Sequence, residues 1–342
     1  MLIDNEPCIV TSLAVSKPGK HGEAKARLEA VGIFDGVKRS IVKPGDYRIQ
    51  VPVIEKRAAQ VLAIAGETAQ LMDLETYETL EAKIPDEFKD PEWDPGNKYT
   101  IVYSYGTTAI AFNSDFVPEG ISSWADLFNV DNPDSVIRRH AGKVTMLTES
   151  IEVFDSALIY LGYPVGTMNK DHLEEATNLL IKQKKYLYGY VSTEDYMEEL
   201  PVGSRYYISQ AWNGDIAGIV YDSDEREVYI SKIYENIKYV VPEEGAVAWY
   251  DNFAIPANAK HLEAAHAFIN WFLEPPISAI HTITIKYPYP AGYKYVPVEI
   301  REDPMIFVPK ELYKKLYWTT VTPEMQELYS QYWARVQAAP TG

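Results

Sequence analysis

Glu149 and Glu152 stand three residues apart at the end of an apolar run, and Trp212 precedes Asn213-Gly214-Asp215. Trp249 and Tyr250 precede Asp251, and Tyr287 and Tyr289 flank Pro288. Carboxylates beside aromatic rings suit the holding of an organic cation, and a diamine in particular. Ring faces attract an ammonium and cover its methylenes, while carboxylates accept its charge-assisted hydrogen bonds. Each residue also has a plainer role open to it. A tryptophan on a strand is ordinarily a core residue, and Glu149 stands where a helix N-terminus would use it as a cap. Aromatic faces stack on sugars too, but a sugar or a peptide would leave the carboxylates without a purpose. Other chemistries lack their residues. The six histidines, His21, His140, His172, His261, His266 and His281, include no pair at the four-residue helical spacing of a zinc site. No Gly-x-Ser-x-Gly elbow occurs, and Cys8, the only cysteine, permits neither an internal disulfide nor a cysteine-based zinc cluster. The chain is therefore expected to be non-catalytic, with no cofactor and no metal.

A second candidate lies in Ser16-Lys17-Pro18-Gly19-Lys20-His21-Gly22-Glu23-Ala24-Lys25. Apolar, β-favouring residues flank it from Cys8 to Leu13 and from Arg27 to Phe34, which reads as a hairpin with a long tip. Pro18, Gly19 and Gly22 exclude a helix there, so Lys20 and His21 are expected at the exposed apex. The loop is basic, which suits a solvated turn or contact with RNA. It is not a phosphate-binding loop, because neither the glycine spacing nor the following hydroxyl residue is present.

The elements that would position these residues divide the chain. Residues 1–85 carry 11 Lys+Arg against 12 Asp+Glu, and residues 86–342 carry 21 against 37, which accounts for nearly all of the net charge of −17. A strongly acidic surface repels nucleic acid and concentrates cations, whereas a near-neutral segment with a basic loop can meet RNA. In the first part, Val51-Pro52-Val53-Ile54, Val61-Leu62-Ala63-Ile64 and Gln70 to Leu74 read as short strands of barrel type. In the second, strands are expected over Tyr99–Tyr103 and Ala109–Phe112 around Gly106-Thr107-Thr108, with a short helix from a Ser122 cap. Val144 to Leu147 reads as a buried strand feeding a helix through Val153, Phe154, Ala157, Leu158 and Leu161. Asp171 with Glu174 forms a capping box, and Ala259 to Leu273 is an amphipathic helix stopped by Pro275-Pro276. Alternating helices and strands point to a layered α/β architecture. Phe88 to Gly96, polar and proline-bearing, reads as the junction. No apolar run is long enough to cross a bilayer, and Met1 to Glu6 lacks a basic stretch leading into an apolar core, so neither membrane insertion nor a secretory leader is expected.

Two resemblances sharpen this division. Ile3-Asp4-Asn5-Glu6-Pro7-Cys8, Ser16 to Gly22 and Met72-Asp73-Leu74-Glu75-Thr76-Tyr77-Glu78-Thr79 resemble archaeal and eukaryotic translation initiation factor 5A in order and spacing. That resemblance implies an SH3-like barrel over 1–49 and an OB-like barrel over 50–95. It also implies conversion of Lys20 to hypusine by deoxyhypusine synthase and action on the ribosome through the Lys17–Lys25 loop. The sequence supplies neither a strand before Leu2 nor final OB strands after Phe88, so both barrels are expected to be incomplete. Tyr105-Gly106-Thr107-Thr108-Ala109-Ile110-Ala111, Ser123-Trp124-Ala125-Asp126-Leu127, Trp212-Asn213-Gly214 and Trp249 to Pro256 resemble the spermidine/putrescine-binding proteins of bacterial ABC transporters. This second resemblance implies a periplasmic-binding-protein-like α/β region over 96–342, of two lobes, lacking the first strand–helix units of its first lobe. It also implies an ABC permease as partner. By the same resemblance Glu149 and Glu152 match acidic polyamine ligands, Trp212 and Trp249 match stacking tryptophans, Asp251 matches the carboxylate that grips an amine, and Tyr287 matches a further wall. One family is cytosolic and the other exported, so the compartment is left open. The expectation is a chain recombined from two families, with polyamine binding as its function. The alternatives are a hypusine-bearing translation factor and a scaffold with neither activity.

Overall fold

The computed structural model describes residues 1–4, 6–16, 24–33, 37–52, 59–65, 68–73, 76, 78–83, 94, 97–222 and 231–341. Lys20, His21 and most of the Lys17–Lys25 loop lie outside the described residues, as does nearly all of the 88–96 junction. The chain divides into two compact units, one of residues 1–63 with 69–82 and one of residues 64–68 with 83–342.

The N-terminal unit is all-β. Strands β1 (Leu2–Ile3), β2 (Glu6–Ser16), β3 (Lys25–Gly32) and β4 (Lys38–Pro44) form an antiparallel sheet in sequence order. Alternation sets its faces: Leu28 and Ala30 are buried on β3, whereas Lys25, Arg27 and Glu29 are exposed. Ile3, Cys8 and Ala30 form its small core, while Ile9, Leu13 and Val15 on β2 are each more than 60% exposed. Strands β5 (Ala59–Ala65), β6 (Thr68–Asp73) and β7 (Thr79–Lys83) make a three-stranded sheet. The strand signals over 61–64 and 70–74 thus correspond to two of these elements.

The C-terminal unit is an α/β layer whose central strand is unusually long. Strand β8 (Thr100–Asn113) runs unbroken through Gly106-Thr107-Thr108, where two strands were expected. Its entrance is fixed by Asp94, whose carboxylate accepts hydrogen bonds from the backbone amides of Lys98, Tyr99 and Thr100. Those bonds hold the Asp94 carboxyl below the usual carboxylate range against the opposing effect of burial. The other strands are β9 (Val144–Leu147), β10 (Leu187–Val191), β11 (Ile208–Trp212), β12 (Tyr221–Asp222), β13 (Ser231–Lys232), β14 (Ile237–Val240), β15 (Ala246–Ala254) and β16 (Leu316–Trp318). The main sheet has the order β10-β9-β11-β8-β15-β16, with β14 also paired to β8. Pairs β9–β10, β9–β11 and β15–β16 are parallel, and β8 is antiparallel to β11, β14 and β15.

The helices are α1 (Ala125–Phe128), α2 (Val136–Arg139), α3 (Ser150–Leu161), α4 (Lys170–Lys184), α5 (Thr193–Val202), α6 (Asn213–Val220), α7 (Leu262–Phe272), α8 (Pro275–Ile285), α9 (Val298–Arg301) and α10 (Pro323–Ala338). The core joins Ile110 and Phe112 of β8 and Met146 of β9 to Phe154 and Leu158 of α3 and Trp333 of α10. Local caps differ from the expected ones. Asn169, not Asp171, caps α4 by accepting from the Asp171 amide, and Ser123 rather than Ser122 receives the first amide of α1. Pro275-Pro276 ends α7 as expected and also opens α8, where the missing amides are no loss. Helix α7 buries none of its residues, and Phe268 and Trp271 on it are 50% exposed. No helix of the described residues is long and apolar enough to cross a membrane.

Candidate functional site

Strand β8 carries Ser104, Gly106 and Thr108 on one face, and antiparallel β15 sets Asp251, Trp249 and Val247 opposite them. The period of two therefore collects a hydroxyl, a carboxylate, an indole and a second hydroxyl along one stripe. Gly106 makes the stripe possible. A Cβ there would lie 2.4 Å from Trp249 Cζ2, so only glycine lets the indole lie against the strand. The residue that looks like a turn signal in the sequence serves a close approach within a strand.

Strand β9 and helix α3 deliver the acids. Glu149 is the N-cap residue of α3 but makes no capping bond with its side chain, and it is exposed. Glu152, in the first helical turn, points to the stripe: its Oε2 accepts from Thr108 Oγ1 at 2.5 Å and from Trp212 Nε1 at 2.7 Å. Trp249 Nε1 in turn donates to Thr108 Oγ1 at 3.3 Å. Both site indoles are thereby keyed, one directly and one through a hydroxyl, to a single carboxylate. Burial pushes the Glu152 carboxyl up to about 7 against the two bonds from Thr108 and Trp212, with Glu149 and Asp155 adding to the rise. Asp251 accepts from Ser104 Oγ at 3.1 Å, and burial raises its pKa too.

The remaining wall is aromatic. The Trp212 and Trp249 rings meet edge to face at 6.4 Å, and Trp249 meets Tyr287 at 5.2 Å with the planes 55° apart. Tyr287 lies over Gly214, where a Cβ would stand 2.4 Å from the phenol ring. The structure thus brings Glu152, Trp212, Trp249 and Tyr287 into one linked cluster. Asp251 stands on the Trp249 stripe, and Glu149 lies close enough to raise the Glu152 pKa. Tyr289, singled out with Tyr287 in the sequence, is 1% exposed and belongs to the interior. Sequence reasoning missed Thr108, Ser104 and Asp215 as partners. Their contacts span 19 to 147 residues, and no local pattern announces them. Among the described residues, Glu152, Asp215 and Asp251 make no ion pair, and no group of three or more His, Cys, Asp or Glu is placed to hold a metal ion.

Comparison with known proteins agrees with this division. Residues 49–307 match the family of bacterial extracellular solute-binding proteins, and residues 1–47 match the N-terminal part of translation initiation factor 5A-like proteins. Translation initiation factor 5A of Archaeoglobus fulgidus is 51% identical over 110 residues, covering 32% of this chain and 85% of that protein. Spermidine/putrescine-binding periplasmic protein 1 of Haemophilus influenzae is 30% identical over 258 residues, and the match spans 73% of this chain and 66% of that protein. The fold of a putative spermidine/putrescine ABC transporter protein from Listeria monocytogenes superposes with a TM-score of 0.63 at 24% identity, covering 75% of this chain and 74% of that one. Neither matched family is enzymatic. An α/β layer with an acid-and-aromatic cluster, preceded in the chain by an all-β segment, fits both findings, and the chain belongs to the bacterial extracellular solute-binding proteins, joined to an N-terminal segment of the translation initiation factor 5A family.

Proposed function

We propose that residues 96–342 form a non-catalytic binding module for a polyamine, spermidine or putrescine, serving transport through an ABC permease. One observation carries the reading. The Glu152 carboxyl is strongly desolvated and Asp251 is half-buried on the Trp249 stripe, and both have only neutral donors as partners, Thr108 and Trp212 for the first and Ser104 for the second. Buried negative charge without a counter-charge is costly, and an entering ammonium relieves that cost. In this reading Glu149, Glu152 and Asp251 take the amines, while Trp212, Trp249 and Tyr287 cover the methylenes. Each ring face contributes roughly 0.5–2 kcal/mol and each charge-assisted hydrogen bond about 1.5–3 kcal/mol. The names of the Haemophilus and Listeria relatives support the choice of polyamine over other organic cations. A thermal-unfolding scan with and without spermidine tests it. The midpoint rises with ligand in the parent chain and not in Asp251→Ala; no rise in either at millimolar spermidine refutes the reading.

A second reading concerns the all-β segment, for which we propose an SH3-like barrel over 1–49 and an OB-like part with the junction over 50–95. The 51% identity to a translation initiation factor 5A favours Lys20 as a substrate of deoxyhypusine synthase and the Lys17–Lys25 loop as a ribosome contact. Intact mass after incubation with that enzyme and spermidine decides it. An added aminobutyl group at Lys20 is expected, and an unchanged mass refutes it.

A further inference from the structure

Asp215 carries no role in the reading above, yet it ties the aromatic wall together. It lies in the first turn of α6, next to Gly214, on which the Tyr287 ring rests. Its Oδ1 accepts from the Tyr287 hydroxyl at 2.7 Å and its Oδ2 from the Tyr196 hydroxyl at 2.5 Å. Tyr196, on α5, is fully buried. Both carboxylate oxygens are thus directed at hydroxyls of the protein itself.

Tyr287 needs such a tie. Helix α8 ends at Ile285, and Lys286, a non-glycine residue at φ 61°, makes the left-handed turn after which Tyr287 meets Trp249. The next residue, Pro288, is anchored through its carbonyl to the Tyr105 amide at 3.2 Å. The phenol itself is fixed by the Asp215 bond on one side and by Trp249 on the other. A carboxylate receiving two hydroxyls makes charge-assisted hydrogen bonds, which are shorter and stronger than neutral ones.

We infer that Asp215 is the positioning residue of the aromatic wall, a clamp whose carboxylate is braced by Tyr196 and holds Tyr287 against Trp249, so that the wall that covers the ligand is set before the ligand arrives. The inference rests on the cation-binding reading for its consequence in affinity, but the clamp itself exists without ligand. Asp215 acts through Tyr287 and does not touch the polyamine.

The test uses the full chain and four variants, Asp215→Ala, Asp215→Asn, Tyr287→Phe and the double variant Asp215→Ala with Tyr287→Phe. Hydrogen exchange of the segment around Tyr287 is followed without ligand, and spermidine binding is followed by calorimetry. A lost hydrogen bond to a charged group predicts exchange about 10-fold faster in Asp215→Ala and in Tyr287→Phe, with spermidine bound about 10-fold more weakly in each. The double variant binds no worse than either single one, because residues acting as one unit are not additive. Asp215→Asn, which keeps one acceptor, recovers part of both effects. Unchanged exchange in Asp215→Asn and in Tyr287→Phe, the variants that disturb packing least, overturns the clamp. A double variant whose loss equals the product of the single losses overturns it as well, since Asp215 would then meet the ligand independently. Faster exchange in the variants of a chain that takes up no spermidine supports the clamp and refutes only the polyamine reading.

Discussion

Replacing Glu152 by glutamine should stabilise the ligand-free protein by an amount that grows as the pH rises from about 4.5 to about 7 and stays constant above that. An unfolded glutamic acid ionises near 4.5, whereas in the fold burial pushes Glu152 up to about 7. Between those values the folded state holds a proton that the unfolded state has released. The group's contribution is therefore fully present below about pH 4.5 and is lost as the pH rises through 7. A displacement of that size corresponds to roughly 3 kcal/mol. The glutamine side chain would occupy nearly the same volume, would still accept from Thr108 and Trp212 through its carbonyl oxygen, and would never ionise. The midpoint of Glu152→Gln should match the parent's at pH 4.5 and exceed it by about 6–12 °C at pH 8.5, taking about 2–4 °C per kcal/mol for a unit of this size. Asp155 titrates in the same direction, pushed up to about 6, but it is present in both proteins and drops out of the difference. The assay is differential scanning fluorimetry across pH without ligand. Equal midpoint differences at both ends of the range, or a Glu152→Gln protein less stable than the parent at pH 8.5, would refute the reasoning.

The same carboxyl makes spermidine binding pH-dependent. If the ionised form takes the amine, affinity measured by calorimetry is about 100-fold weaker at pH 5 than on the plateau above pH 8, and Glu152→Gln flattens the profile. Gly106→Ala drives a methyl into the Trp249 indole and should cost about 1–3 kcal/mol in urea unfolding, with a matching loss of spermidine affinity. Unchanged stability would mean that the indole moves aside freely. Thr319→Val removes the hydroxyl that donates to Asp155 Oδ2 at 2.6 Å and so raises the Asp155 pKa further. Its cost, about 1–3 kcal/mol at pH 8 by urea unfolding, should shrink towards pH 5, where Asp155 is protonated; a cost independent of pH would assign Thr319 to packing instead.

The layered α/β fold was legible where the apolar period was clean. Val144 to Leu147 leading into Val153, Phe154, Ala157 and Leu158 has a single sensible reading, and those residues are the core of β9 and α3. The continuity of β8 was hidden because Gly106-Thr107-Thr108 has the composition of a turn. The glycine's purpose is visible only once Trp249, 143 positions away in the sequence, lies on it. The acid and aromatic residues of the candidate site could be picked out by type. Their wiring could not, because Thr108 to Glu152 and Asp215 to Tyr287 are bonds between residues 44 and 72 positions apart. Side-chain identity announces what a site can hold, whereas the partners that orient those side chains are set by strand register.

This wiring shows where the orientation of the aromatic wall comes from. Helix α7 buries no residue, and its Phe272 packs with Tyr103, Phe253 and His281 in an aromatic cluster. The rings around Glu152 do not depend on that cluster for their orientation. Trp212 is fixed by Glu152, Trp249 by Thr108 and the absent side chain of Gly106, and Tyr287 by Asp215 and Gly214. Each fixing contact lies within the C-terminal unit. Preorganisation removes the entropy of ordering these rings from the cost of binding, a saving of about 0.5–1.5 kcal/mol per side chain. In the proposed reading the orientation of the rings is therefore no part of the cost of binding, and affinity follows from the amine contacts of Glu152 and Asp251 and the methylene contacts of the indoles.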